Sequence, residues 1–323
     1  MGRALLHNER MSGRISKLAG GAALGLALSL GLGSAGAAEE APNDFVYQLQ
    51  RIDLEAIGET KFDLVIMDYS RDGSDAEKFP AGEISALKNS PGGPKTVLSY
   101  MSIGEAEDYR WYWQRSWDRN RDGKPSASAP DWLGRSNPNW PGNYKVRYWD
   151  PAWQALVYDY VDEVLAAGYD GVYLDIVDAY QYWEPGGPGA PDYPDAEAEM
   201  VAFVKSIATY ARVTHDHPNF QVYVQNAEEL SVHPDYVQTV SGIGKEDLFY
   251  NGNRRQPDSE VRWSVRHLDT FKATSKPVLV TDYVTQRPKI DAFYDRARAR
   301  GYVPYATRRD LDVLRINRGH APD

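Results

Sequence analysis

Eight short apolar runs, separated by stretches of helical periodicity, constrain this 323-residue chain more than any other feature. They are VYQLQ (46–50), DLVIMD (63–68), TVLSYMS (96–102), GVYLD (171–175), QVYVQN (221–226), VSGI (240–243), PVLVTDY (277–283) and YVPYAT (302–307). Runs of this length, rich in Val, Ile, Leu and Tyr, read as strands buried on both faces, as in a parallel sheet covered by helices. The stretch WQALVYDYVDEVLAAG (153–168) shows the intervening pattern, with apolar residues at helical spacing and Gly168 as a stop. Eight such units predict an α/β fold of the (β/α)₈ TIM-barrel class in a single domain. A ninth run, KVRYWD (145–150), is read instead as part of a long excursion over 108–150, dense in Trp, Pro, Asn and Gly. Loops of that length are commonly functional. A doubly wound open sheet is the rival architecture, but the Gly-rich phosphate turn expected after its first strand is missing.

Residues 1–38 differ from the rest. Arg3, Arg10, Arg14 and Lys17 precede an apolar, small-residue run over 18–32 that leads into SAGAAEE. A basic start, a short apolar core and a small-residue cleavage site predict a signal peptide over 1–38, with Met11 as an alternative start. The barrel domain is then expected over 39–323. A membrane anchor is disfavoured because the run is short and rich in Gly and Ala. No later stretch is apolar enough to cross a bilayer. With no cysteine, the chain has no disulfide, no thiolate metal site and no acylated Cys. An exported protein of this kind is expected to be periplasmic or secreted. Removing 1–38 takes the formal net charge from −10 to about −13, which works against nucleic acid and membrane partners and favours a cationic one. A monomer without metal or cofactor is expected.

In a TIM barrel the active site is built at the C-terminal strand ends. Asp68 ends the second run, Glu105 and Asp108 follow the third, and Asp175 and Asp178 the fourth. Glu228 and Glu229 follow the fifth, Glu246 and Asp247 the sixth, and Asp282 lies at the end of the seventh. Any one of these acids has a structural reading, as a helix cap or half of an ion pair. As a set facing one another, carboxylates raise each other's pKa, so that one holds a proton while another stays ionised. Glycosidic cleavage needs that asymmetric pair. Two motifs stand out. DGVYLDIVDAY (170–180) ends a buried strand on Asp175, and QVYVQNAEEL (221–230) sets Asn226, suited to bonding a sugar hydroxyl, just before Glu228. The chain has 22 Tyr and 9 Trp against 8 Phe, a ratio that favours amphipathic rings able to stack on a pyranose. Tyr69, Tyr100, Trp111, Trp183, Tyr250 and Tyr283 are the candidate platforms. His215 and His217 precede the fifth strand and fall at the opposite end. No His-Glu-x-x-His, nucleophile elbow or phosphate loop is present, so metalloprotease, serine hydrolase and NTPase chemistry have no support.

The segments DYS (68–70), SYMSIGEAEDYR (99–110), NWPGNYKVRYWDP (139–151), GYDGVYLDIVDAY (168–180), QNAEEL (225–230), GKEDLFY (244–250) and TDY (281–283) resemble glycoside hydrolase family 114 in order along nearly the whole chain. That resemblance implies an endo-α-1,4-polygalactosaminidase-like barrel whose catalytic carboxylates are Asp175 and Glu228. By analogy with other α-glycosidase barrels, Asp175 would be the nucleophile and Glu228 the acid/base of a retaining mechanism. It also implies a cationic amino-sugar polymer as substrate, drawn to Asp68, Glu105, Asp108, Asp178, Glu246 and Asp282. A non-catalytic sugar-binding barrel and a hydrolase of another α-linked glycan stay open at this point.

Overall fold

The computed structural model describes residues 41–189, 191 and 193–323. The signal peptide expected over 1–38 lies outside them. Residues 41–323 form one compact unit.

Eight parallel strands form one sheet in chain order: β1 (Phe45–Gln48), β2 (Leu64–Met67), β3 (Thr96–Ser102), β4 (Gly171–Asp175), β5 (Gln221–Gln225), β6 (Gly242–Glu246), β7 (Val278–Asp282) and β8 (Val303–Ala306). Their residues are almost wholly buried because helices cover the outside and side chains fill the inside. The sheet curls until β1 and β8 are neighbours. The Phe45 and Tyr305 rings pack 5.5 Å apart across that seam. Past the end of β1, the Leu49 and Gln50 N–H groups both donate to the Leu311 carbonyl, at 2.8 and 3.1 Å. The hydrogen-bonded ladder runs from β1 round to β8, and the last gap is closed by packing and by this tail segment.

Helices α1 (Leu54–Gly58), α2 (Ala81–Lys88), α3 (Pro151–Ala167), α4 (Ala196–Thr209), α5 (Pro234–Thr239), α6 (Asp258–Ala273) and α7 (Arg287–Arg298) lie between successive strands. After β8, residues 307–323 run on without a helix. Helix α3 shows how local sequence sets these elements. Asp150 caps its start by accepting from the Ala152 N–H at 2.8 Å, Pro151 takes the first position, and Gly168 ends it in the left-handed region at φ 80°. Trp153, Val157, Tyr160, Val161 and Val164 form its buried stripe. Each large apolar side chain removed from water there contributes about 1.5–3 kcal/mol.

The sixth strand is displaced from its expected position, spanning 242–246 instead of 240–243. The cause is tertiary. A Cβ on Gly242 would lie 2.3 Å from the Tyr223 ring, and one on Gly244 only 1.8 Å from the Tyr173 hydroxyl. Tyrosines from β5 and β4 fill the space, so β6 must be built from residues with little strand signal.

The excursion after β3 folds into a three-stranded antiparallel sheet of Glu105–Glu107, Leu133–Asn137 and Trp140–Val146. KVRYWD therefore belongs partly to this sheet and partly to the turn into α3, and not to the barrel. Its tryptophans join the main core through α3, with Trp113, Trp117 and Trp132 of the excursion and Trp153 of α3 in successive ring contacts of 5.2, 5.2 and 5.0 Å. No described helix is long and apolar enough to cross a membrane.

Candidate active site

The strands that carry the acids end in one repeated backbone device. Ile176 follows Asp175, Asn226 and Ala227 follow Gln225, and Asp247 follows Glu246, all at φ between 51° and 57°. Left-handed backbone is rare outside glycine, and for β-branched Ile176 it costs on the order of 1–3 kcal/mol. These turns swing the chain aside and leave Asp175, Gln225 and Glu246 at the barrel mouth.

Asp175 is held from three directions. Its Oδ2 accepts from the Tyr100 hydroxyl at 2.6 Å, and its Oδ1 accepts from Gln225 Nε2 at 2.9 Å and from the Ile176 N–H at 2.7 Å. The same Gln225 nitrogen donates to Glu246 Oε2 at 2.7 Å. Glu246 also accepts from Asn226 Nδ2 at 3.2 Å and from the Tyr283 hydroxyl. The acceptor oxygens of Asp175 and Glu246 thus share one nitrogen and can be no farther apart than those two hydrogen bonds end to end. That limit is close to the separation of about 5–5.5 Å at which paired carboxyls work in retaining glycosidases. Burial, with the nearby Glu246 charge adding to it, pushes the Asp175 pKa up to about 8. Burial raises that of Glu246 as well. Two half-buried acids in this relation hold one proton between them more readily than two negative charges.

Two adjoining cavities open from the mouth, of about 670 and 590 Å³. The deeper is lined by Tyr47, Asp68, Tyr100, Glu105, Asp175 and Tyr283, among others. The second is lined by Glu228, Glu229, Lys245, Asp247 and Trp263. Asp178, Asn226 and Glu246 form the wall common to both. Glu228 is only 1% exposed, and its Oε1 lies 3.1 Å from Lys245 Nζ, a charge contact without the directional geometry of a hydrogen bond. Glu229 is tied back by the Tyr180 hydroxyl and Gln181 Nε2. Asp178 is raised by burial, against which the Lys145 and Lys245 charges act.

The structure narrows the acidic set expected to draw in a cation. Asp68 faces the deep cavity but is bound at 2.8 Å by Arg110, which also holds Glu107 at 2.6 Å in a buried triad. Glu105 is fully buried against Lys145 at 2.5 Å, with Asn137 donating to the same oxygen at 2.9 Å. Asp108 lies on the outside, in a separate cleft of the excursion beside Asp118 and Tyr144. Asp175, Asp178, Glu229 and Glu246 are mouth acids in no close ion pair among the described residues. The aromatic expectation shifts too. Tyr100 and Tyr283 line the deep cavity, but their hydroxyls are committed to the two acids. Tyr69 is buried under Tyr160 with its hydroxyl on the Gly73 carbonyl, at 3.0 Å. Trp183 is in the core, donating to the Val146 carbonyl. Trp111 and Tyr250 line neither cavity.

Asp282 is an anchor for backbone. It is fully buried and accepts the N–H groups of Leu248, Phe249 and Tyr250 at 2.8, 3.0 and 2.8 Å, fixing the loop after β6. Burial pushes its pKa up to about 8. Asp282→Ala leaves three buried donors unpaired, at about 1–3 kcal/mol each. The expected result is a melting temperature lower by roughly 6 °C or more. A direct substrate contact would instead leave the melting curve in place and raise KM.

Gln225, Lys145, Lys245 and Arg110 are the functional neighbours that sequence reasoning did not assign. Lys145 and Lys245 sit far along the chain from the acids at the opposite end of their contacts, so spacing carried no sign of them. The polar strand end Gln225-Asn226 was the visible trace of the bridge.

Carboxylates gripped in unlike environments at the C-terminal mouth of a parallel barrel define a hydrolase of glycosidic bonds. Comparison with known proteins agrees. The family model of glycoside hydrolase family GH114 matches residues 33–321. An uncharacterised protein of Methanocaldococcus jannaschii is 36% identical over 283 residues, covering 84% of this chain and 78% of that one. One of Deinococcus radiodurans is 37% identical over 265 residues, covering 82% and 79%. The fold is shared with the glycoside hydrolase domain of PelA from Pseudomonas aeruginosa, at a TM-score of 0.61, 20% identity and coverage of 85% and 98%. Ega3 of Aspergillus fumigatus, solved in complex with galactosamine, gives a TM-score of 0.60 at 18% identity, covering 84% and 94%. The chain belongs to glycoside hydrolase family GH114.

Proposed function

We propose that the protein is an endo-acting hydrolase of an α-1,4-linked, galactosamine-containing polysaccharide, working by retention with Asp175 as nucleophile and Glu228 as acid/base. The observation that carries this reading is the setting of Asp175 at the floor of an open cavity, its carboxylate oriented by Tyr100, Gln225 and the Ile176 N–H. In the first step an Asp175 oxygen bonds to the anomeric carbon, the glycosidic C–O bond breaks, and a proton from Glu228 goes to the departing oxygen. In the second, Glu228 takes a proton from water as that water displaces Asp175, which leaves as carboxylate. Asp178 and Glu246, beside Asp175 and in no close ion pair, favour a sugar bearing an ammonium group, although the Lys145 and Lys245 charges reach Asp178 and that of Arg309 reaches Glu246, in keeping with the galactosamine found in Ega3. Export through the segment 1–38, and action as a monomer without metal or cofactor, belong to the same proposal.

One observation favours a second assignment of the acid/base. Gln225 bonds both Asp175 and Glu246, so Glu246 is the carboxyl known to stand across from Asp175. Glu246 would then protonate the departing oxygen, and Glu228 would serve the second cavity.

The purified protein is expected to release reducing ends from partly de-N-acetylated α-1,4-galactosaminan at least about tenfold faster than from neutral α-glucans. Its first product should carry the α configuration by NMR. Equal rates on starch-like glucan would overturn the amino-sugar reading, and a β product would overturn retention.

A further inference from the structure

Among the described residues three large aromatic side chains are about half exposed: Tyr109 at 47%, Trp140 at 53% and Trp263 at 43%. All three line the two cavities of the mouth. The rest of the tryptophans are packed into or against the core, so exposed indoles here are a departure from how this chain otherwise treats them.

Their positions divide between the two sides. Trp140 opens the last strand of the excursion sheet, paired with Asn137, on the rim of the deep cavity. That cavity draws its walls from the ends of β1 to β7, the excursion sheet and the tail after β8. Trp263 lies on α6 between the buried positions Val261 and Ser264, on the side of the second cavity, which draws its walls from the loops after β5 and β6. The two rings thus stand in separate cavities that share the Asp178, Asn226 and Glu246 wall. Trp263 is braced in place by His267, with ring centres 4.8 Å apart, and His267 in turn meets Ser231 Oγ through Nδ1 at 2.9 Å.

We infer that Trp263 is the stacking platform of a remote sugar subsite which, with Trp140 in the adjoining cavity, holds an extended polysaccharide across the mouth so that the cut falls inside the chain. The inference rests on the glycan reading of the preceding subsection and gives it a direction along the cleft. A flat apolar pyranose face suits an indole. Glu260, one turn before Trp263 on α6, and Glu229 supply carboxylates in the same cavity for the ammonium of a hexosamine. The occupant that matches both features is an α-linked amino-sugar chain several residues long.

The test uses the full protein with de-N-acetylated α-1,4-galactosaminan and with size-fractionated galactosamine oligomers. Trp263→Ala is expected to lower the ratio of kcat/KM on long over short oligomers about five- to tenfold, with most of the change in KM, and to alter the lengths of the products released. Trp263→Phe should restore most of that ratio, which a merely structural ring would not distinguish in this way. Trp140→Ala should lower the same ratio and shift the product lengths in the opposite sense. Wild-type protein that does not cleave galactosaminan would sink the substrate reading itself. Wild-type cleavage, with ratio and product lengths unmoved in Trp263→Ala, would overturn the platform and leave the substrate reading standing.

Discussion

Asp175→Asn is expected to abolish hydrolysis, lowering kcat by at least about a thousandfold, while the barrel keeps its fold. Asn is nearly isosteric and can still accept from Tyr100, but it supplies no anion to bond the anomeric carbon. The same variant carries a second signature. A folded-state pKa raised to about 8 means that the native protein keeps a proton at Asp175 that the unfolded chain has already released. The native state then binds more protons than the unfolded one, so this group favours the fold most at acid pH and loses that contribution as pH climbs from about 4 toward 8. Asp175→Asn removes the dependence. Its melting temperature should fall less between pH 5 and pH 8 than that of the wild type. Activity above about a tenth of wild type, on any galactosaminan, would take Asp175 out of the mechanism.

Glu228→Gln is expected to cost about 10²–10⁴ in kcat, because protonation of the departing oxygen and activation of water are both lost. Azide, a small nucleophile that needs no deprotonation, should recover turnover on a substrate with a good leaving group. Glu246→Gln should behave otherwise. Its carboxylate adds to the rise of the Asp175 pKa, so neutralising it lets Asp175 ionise at lower pH. In the wild type kcat/KM should climb with pH toward about 8 as Asp175 loses its proton. The Glu246→Gln profile should move to the acid side, since Tyr47, Tyr100, Tyr173 and Tyr283 around the pair stay protonated throughout and Asp178 is unchanged. Azide rescue of Glu246→Gln, with none for Glu228→Gln, would exchange the two roles.

Much of the fold was legible because its strands are buried on both faces and carry their signal locally. Six of the eight runs match the observed strands to within one residue at each end, and the first overshoots β1 by two. β6 was displaced because Gly242 and Gly244 answer to tyrosines on β5 and β4, a demand with no local trace. The site was legible in part. Acids at strand ends are visible in any barrel sequence, but their fate is decided by partners from distant segments. Arg110 reaches Asp68 over 42 positions, and Lys145 meets Glu105 as its cross-strand partner in the excursion sheet, a pairing that only the folded sheet sets up. Asp282 looks like Asp175 in sequence, yet three backbone N–H groups claim it. The exposed indole at Trp263 did leave a trace, since its place between Val261 and Ser264 puts an apolar ring on the outward side of an amphipathic helix.

The left-handed residues after β4, β5 and β6 have an evolutionary consequence. Glycine at Ile176 or Ala227 would relax the backbone, and a slack turn would let Asp175 or Glu228 drift from its aim. Selection for heat resistance alone would thus tend to edit this lineage first at the positions where its chemistry is set. Enzymes evolved for robustness from this scaffold should lose turnover before they lose shape.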